Sequence, residues 1–150
     1  MSIAVKKTTI DDVHAIVPLF NAYRMFYGQH SNLPGAETFI RQRIENNESV
    51  IFIALDGDKA VGFAQLYPIF TSVGLKSAWL LNDLFVAEQS RHKGAATALL
   101  NAAKEHGAQT KSGWLMLQTA VNNVAAQKVY ESNGWVRDNE YYVYTFKVAE

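Results

Sequence analysis

The chain holds 150 residues, with fourteen basic side chains against fourteen acidic ones, no cysteine and 49% apolar residues. That length suits a single domain over residues 1–150, with enough apolar material to form a core without metal or disulfide. Balanced charge argues against a broad nucleic-acid footprint, and the missing cysteines exclude both a disulfide framework and a cysteinyl thioester. No apolar run nears the ~20 residues of a membrane span and no leader-like segment opens the chain, so a cytoplasmic protein without membrane contact is expected.

Residues Ile3 to Thr9 alternate weakly and predict a first strand. Thr9 or Asp11 then caps a helix with apolar positions Val13, Ile16, Val17, Phe20, Tyr23 and Met25, in which Pro18 marks a kink or a late start. Gly28 to Pro34 is a loop by composition, and Ala36 to Asn47 carries Phe39, Ile40 and Ile44 at helical spacing. Ser49 to Leu55 and Lys59 to Tyr67 are apolar, β-branched runs joined by Asp56-Gly57, which predicts a tight hairpin. Pro68 is expected to interrupt the second of these, with a turn over Phe70 to Lys76 before a strand over Ser77 to Val86. A helix follows from Gly94 to Ala108, with Ala98, Leu99, Ala102, Ala103 and His106 on one face and Gly107 as its terminator. Gly113 to Thr119 reads as a strand, Asn123 to Ser132 as a helix and the tyrosine-rich Glu140 to Val148 as a last strand. A meander followed by βαβ units implies an α/β fold: a mixed, mostly antiparallel sheet of about six to seven strands with helices on both faces.

The most informative stretch is the passage from the strand ending Leu84-Phe85-Val86, through Arg91-His92-Lys93, into Gly94-Ala95-Ala96. The first N–H groups of a helix have no intrahelical partner and sit at the positive end of its dipole. Small residues there leave a phosphate free to approach. Neither G-x-G-x-x-G after a strand nor G-x-x-x-x-G-K-[ST] occurs, so the two commoner phosphate loops are excluded and another phosphate-bearing ligand is implied. His14, His30, His92 and His106 lack metal-ligand spacing, and no G-x-S-x-G elbow suggests a serine hydrolase.

Arg91-His92-Lys93-Gly94-Ala95-Ala96 resembles motif A, [RQ]-x-x-G-x-[GA], of the GNAT superfamily of N-acetyltransferases, and Asn123 through Trp135 resembles that family's N-x-x-A-x-x-[LV]-Y-E-x-x-G-[FW] run. Asn82-Asp83-Leu84-Phe85-Val86, Tyr23-Arg24-Met25-Phe26-Tyr27 and the closing tyrosines resemble small bacterial members related to the yeast histone and D-amino-acid acetyltransferases. The resemblance implies acetyl-CoA as co-substrate and no metal. In the family the pantetheine arm lies between two splayed strands, which correspond here to Ser77–Val86 and Gly113–Thr119. It assigns backbone groups of Leu84, Phe85 and Val86 to the pantetheine and acetyl oxygen, and those of Arg91, His92, Lys93, Gly94, Ala95, Ala96 and Thr97 to the pyrophosphate. Asn123 is assigned to the cofactor side as well.

Tyr130 follows Asn123 by two helical turns, and a phenol of pKa ~10 can protonate a departing thiolate. It is the expected general acid. An alkylamine of pKa ~10.4 must lose a proton before it attacks. Asp83, costly to bury in an apolar strand, is the candidate base, the holder of a water that does this work, a binder of the acceptor's ammonium group, or a partnered structural carboxylate. Some family members carry a glutamate near Gln118, and glutamine cannot serve as a base. Tyr23, Arg24, Tyr27 and Asn82 are the candidate acceptor-binding residues, with Phe26, Tyr67, Phe70, Trp79, Tyr141 and Tyr142 as further aromatic candidates; for any single aromatic, packing in the core is the more ordinary role. The expected activity is direct acetyl transfer to a primary amine of a small molecule by a homodimer. A non-catalytic acyl-CoA-binding module and an enzyme acting on protein amines are the alternatives.

Overall fold

The structure, a computed structural model, describes residues 2–149, which divide into two compact units, one running to Gln118 and the other beginning at Thr119. In the first unit the described elements are β1 (Ile3–Lys7), α1 (Val13–Phe26), α2 (Leu33–Glu45), β2 (Val50–Asp56), β3 (Lys59–Thr71), β4 (Lys76–Val86), α3 (Ala95–Gln109) and β5 (Leu115–Met116). The strands form one sheet in the order β1-β2-β3-β4-β5, antiparallel through β4, with β5 parallel to β4 across the α3 crossover. This is the expected mixed sheet with five strands, fewer than the six or seven read from the sequence.

Strand alternation sends Ile51, Ile53 and Phe63 to the face covered by α1 and α2, where they pack with Val13, Ile16, Phe20 and Ile40. Phe52 points to the opposite face, and its ring lies 5.7 Å from that of His106 on α3. Helices therefore cover both faces. The turn Ile10–Asp12, which leads directly into α1, is closed by a capping box in which Thr9 and Asp12 exchange backbone and side-chain bonds. Pro18 lies inside α1. The carbonyl it leaves without a donor belongs to His14, and both residues are exposed, so water can satisfy it.

Four further expectations about the first unit need correction. α2 starts at Leu33 because Pro34 falls in the first turn, where a missing N–H costs nothing, and the Asn32 side chain caps Gly35 N–H at 3.0 Å. β3 does not stop at Pro68. Its pairing with β2 ends at Val50–Leu66, so beyond that point β3 has β4 alone as neighbour, and an edge accepts a proline. Gly107 does not end α3, which runs to Gln109; a Cβ there would stand 2.7 Å from Leu115 Cδ1, so its role is close approach to β5. β5 itself is two residues long rather than the seven of Gly113–Thr119.

The second unit contains α4 (Val124–Ser132), capped by the Asn123 side chain accepting from Ala126 N–H at 3.2 Å. The expected strand over Glu140–Val148 is not formed among the described residues. Tyr142, Tyr144 and Phe146 are each about 90% exposed, and a strand needs a partner that nothing else in this unit supplies.

Candidate functional site

β4 carries most of the site because its pairing is uneven on both edges. Toward β3 the register slips between Gln65–Asp83 and Leu66–Leu81, so Asn82 is an extra residue, a bulge that turns its side chain outward while Asp83 remains buried. Toward β5 the ladder comprises Trp79–Leu115 and Leu80–Met116 and then ends. From there to Val86 the β5-side edge of β4 has no strand partner among the described residues. A chain segment that needs backbone hydrogen bonds can pair there.

The strand leads through the turn Glu88–Ser90 into a loop where His92 takes φ 66° and Gly94 takes φ 88°. Gly94 is the N-cap of α3 and, being glycine, supplies no capping side chain. A Cβ added to Gly94 would meet nothing within 4 Å, so its requirement is conformational and the space above the helix end is open. A helix N-terminus with small residues and open space before it is a place where backbone N–H groups can bind an anion. Arg91, in the same loop, is tied to β4 and α1. Its Nε donates to the Val86 carbonyl at 3.1 Å and its guanidinium lies over the Phe26 and Phe85 rings, 5.7 and 5.9 Å from their centroids.

Asp83 is 4% exposed on the α1 side of the sheet. Gln65 Nε2 donates to its Oδ2 at 2.5 Å and Asn82 Nδ2 to its Oδ1 at 2.9 Å, with a further hydrogen bond from Tyr23. Burial pushes the carboxyl above its ordinary range, against the opposing pull of these donors. A raised carboxyl is a stronger proton acceptor once ionised. Tyr67 is pushed up to about 12, first by burial and then by the neighbouring Asp83 charge, with Arg43 opposing.

Around this carboxyl stands an aromatic cluster. Tyr23 rings with Tyr27 at 5.1 Å, with Phe63 at 5.7 Å and with Phe85 at 5.9 Å, and Phe26 joins Tyr27 at 5.3 Å. Tyr23 also donates to the Asn82 carbonyl at 3.4 Å. The structure thereby brings together Tyr23, Tyr27, Asn82 and Asp83, four of the candidates. Arg24 instead reaches the His30 carbonyl at 3.5 Å. Trp79 is on the other face, its Nε1 donating to Thr110 Oγ1 at 3.0 Å and its ring 4.8 Å from that of His106, so it does not belong to this cluster. Phe70 is 80% exposed near the far end of β3. Asn123, Tyr130, Tyr141 and Tyr142 lie in the second unit, where the Tyr130 ring is 6.5 Å from that of Trp135.

Sequence reasoning missed Gln65. It is fully buried, and its Oε1 accepts from Ser49 Oγ at 2.8 Å. A glutamine between Ala64 and Leu66 gives no sign of its partner until the β3–β4 register is known. Among the described residues no group of three or more His, Asp or Glu side chains is placed to hold a metal, and no helix is long and apolar enough to cross a membrane.

The sequence profile of the acetyltransferase (GNAT) family matches residues 16–135. A Bacillus subtilis protein named uncharacterized N-acetyltransferase YhfO is 47% identical over 144 residues, 96% of this chain and 97% of that one. A probable acetyltransferase of Haemophilus influenzae is 36% identical over 125 residues, 83% of this chain and 84% of its own. The crystal structure of a probable acetyltransferase superposes with a TM-score of 0.92 at 39% identity, covering 100% of this chain and 99% of that one.

Proposed function

Because the chain belongs to the GNAT acetyltransferase family, we propose that it transfers an acetyl group from acetyl-CoA directly to the primary amine of a small molecule, both substrates being bound together. The observation that carries this reading is the end of β4 that lacks a β5 partner among the described residues, leading into an α3 N-terminus that begins at Gly94 with open space before it, beside a buried carboxyl set among aromatic rings. Bound acetyl-CoA supplies an acyl carbon activated as a thioester. Backbone N–H groups of Gly94, Ala95, Ala96 and Thr97 hold the pyrophosphate, with Arg91, His92 and Lys93 shaping the loop before them. The open edge at Leu84, Phe85 and Val86 hydrogen-bonds the pantetheine and the acetyl oxygen.

Tyr23, Tyr27 and Asn82 line the acceptor side. Aromatic faces and a carboxylate attract an ammonium group, and burial there lowers the cost of neutralising it. Asp83 takes the proton from the amine directly or through one water, and the nitrogen then forms its bond to the acyl carbon. Tyr130 gives a proton to the sulfur as the C–S bond breaks, and the second proton lost by the nitrogen restores the phenol, leaving the amide, the free thiol and a protonated Asp83 that releases its proton to water. The pKa match supports these roles: the raised carboxyl of Asp83 lies closer to that of the amine, and a phenol is protonated at neutral pH. The 150 residues act as one catalytic domain. The exposed Tyr142, Tyr144 and Phe146 support a homodimer, which light scattering of the purified protein checks.

The reading is tested by incubating the protein with acetyl-CoA and a panel of amino acids, polyamines and amine-bearing peptides, with acetylated products identified by mass spectrometry. Acetylated small amines with stoichiometric thiol release are expected. Products confined to peptides overturn the acceptor class, and cofactor binding without release under any acceptor favours a binding module.

A further inference from the structure

Resting on the reading of Asp83 as the base, we propose that Gln65 is a positioning residue for this reaction: anchored by Ser49, its side-chain amide fixes the orientation of the Asp83 carboxylate by donating to one of its oxygens. Gln65 is 0% exposed and stands between Ile51 on β2 and Asp83 on β4 in the cross-strand register. A carboxamide sealed among apolar neighbours is destabilising unless bonded, and a methionine or leucine would fill the same space without that cost. Both ends of this amide are bonded. Ser49 Oγ donates to Oε1 at 2.8 Å, which forces the NH2 end toward Asp83 Oδ2. Asn82 takes the other oxygen, so the carboxylate is held from both sides at the base of the bulge.

The position in the bulge matters. Gln65–Asp83 is the last register pair before the slip, and a bulge leaves its flanking residues free to pivot unless a side chain ties them. The titratable and charged groups around the carboxyl are Tyr23 from α1, which hydrogen-bonds it, Tyr67 from β3, which feels its charge, and Arg43 from α2, whose charge reaches Tyr67. Burial drives the Asp83 carboxyl upward; Gln65 is the leading influence restraining it, followed by Asn82 and Tyr23. Without the amide the carboxyl would stay protonated to higher pH and lose its aim together.

The test follows the Asp83 carboxyl carbon by NMR through a pH titration and, in parallel, the pH profile of kcat/KM, in wild type, Gln65→Met and Ser49→Ala. Loss of a hydrogen bond to a charged group moves the Gln65→Met midpoint up by about one to two pH units. The acid limb of kcat/KM moves with it, and plateau kcat falls while KM for the amine changes less than about twofold. Ser49→Ala moves the midpoint the same way by less. It also keeps the test available should Gln65→Met fail to fold, since Ser49 is only partly buried. A carboxyl midpoint unchanged in both variants overturns the positioning role of Gln65 and leaves the base untouched. A midpoint that moves while the acid limb of kcat/KM stays still overturns the reading of Asp83 as the base and, with it, the catalytic use of Gln65.

Discussion

Replacement of Gly94 separates what the backbone requires from what the ligand requires. Gly94 holds φ 88°, and a side chain built on it would project into open space rather than into the protein. Alanine therefore meets only the left-handed penalty, about 1–2 kcal/mol of folding stability. That penalty is the same with and without ligand, so Gly94→Ala should leave coenzyme A affinity within about threefold of wild type. Glutamate adds a negative charge above the helix end. At ~6 Å and an effective dielectric of ~20, each phosphate charge is repelled by about 3 kcal/mol. Even if solvent and salt reduce the sum over two charges to about 2 kcal/mol, affinity falls about thirtyfold. Isothermal titration calorimetry with coenzyme A at low and high salt reads both variants, and the glutamate deficit should shrink as salt is added. A Gly94→Glu protein binding coenzyme A as tightly as Gly94→Ala would refute the placement of the pyrophosphate.

Tyr130→Phe should lower kcat about 100-fold while the coenzyme A dissociation constant stays near wild type, as measured by steady-state kinetics and calorimetry. For Asp83 the sign follows from a carboxyl held above its unfolded value: the folded state binds the proton more tightly, so Asp83 weighs against folding progressively as pH rises from the ordinary carboxylate range through its native midpoint. The melting temperature of Asp83→Asn relative to wild type should therefore climb between pH 4 and pH 8 in thermal melts, and a flat difference would contradict the raised carboxyl. In the same variant the acid limb of kcat/KM should disappear. Gly62→Ala would set a Cβ 2.7 Å from the Phe85 carbonyl oxygen, a backbone atom that cannot swing aside. It should cost about 1–3 kcal/mol, read as a lower midpoint in urea unfolding.

The parts of this molecule that were legible in its sequence are those fixed by neighbours along the chain. Asp56-Gly57 between two β-branched runs gave the β2–β3 hairpin, and apolar residues at helical spacing gave α1 and α3. The change from a buried strand to small residues at Gly94-Ala95-Ala96 located the start of α3, because a helix end is set by consecutive residues of the chain. What depended on distant partners was hidden. The bulge at Asn82 is a one-residue slip against β3, invisible to any periodicity within β4. Gln65 acquires meaning only through an aspartate eighteen positions away. Trp79 was placed with the acceptor aromatics because strand parity before a bulge is ambiguous, yet it faces α3. Pro68 signals a break correctly for a central strand, and β3 escapes it by being at an edge there. The tyrosines after Glu140 have strand chemistry without a strand partner in their own unit.

The amide resonances of Gly94, Ala95, Ala96 and Thr97 offer the most direct measurement. In 15N-labelled protein, coenzyme A should shift them saturably, and pantetheine, which lacks the pyrophosphate, should leave them in place while still moving Leu84, Phe85 and Val86. Amides at the start of α3 that stay still while coenzyme A saturates the protein would contradict the account.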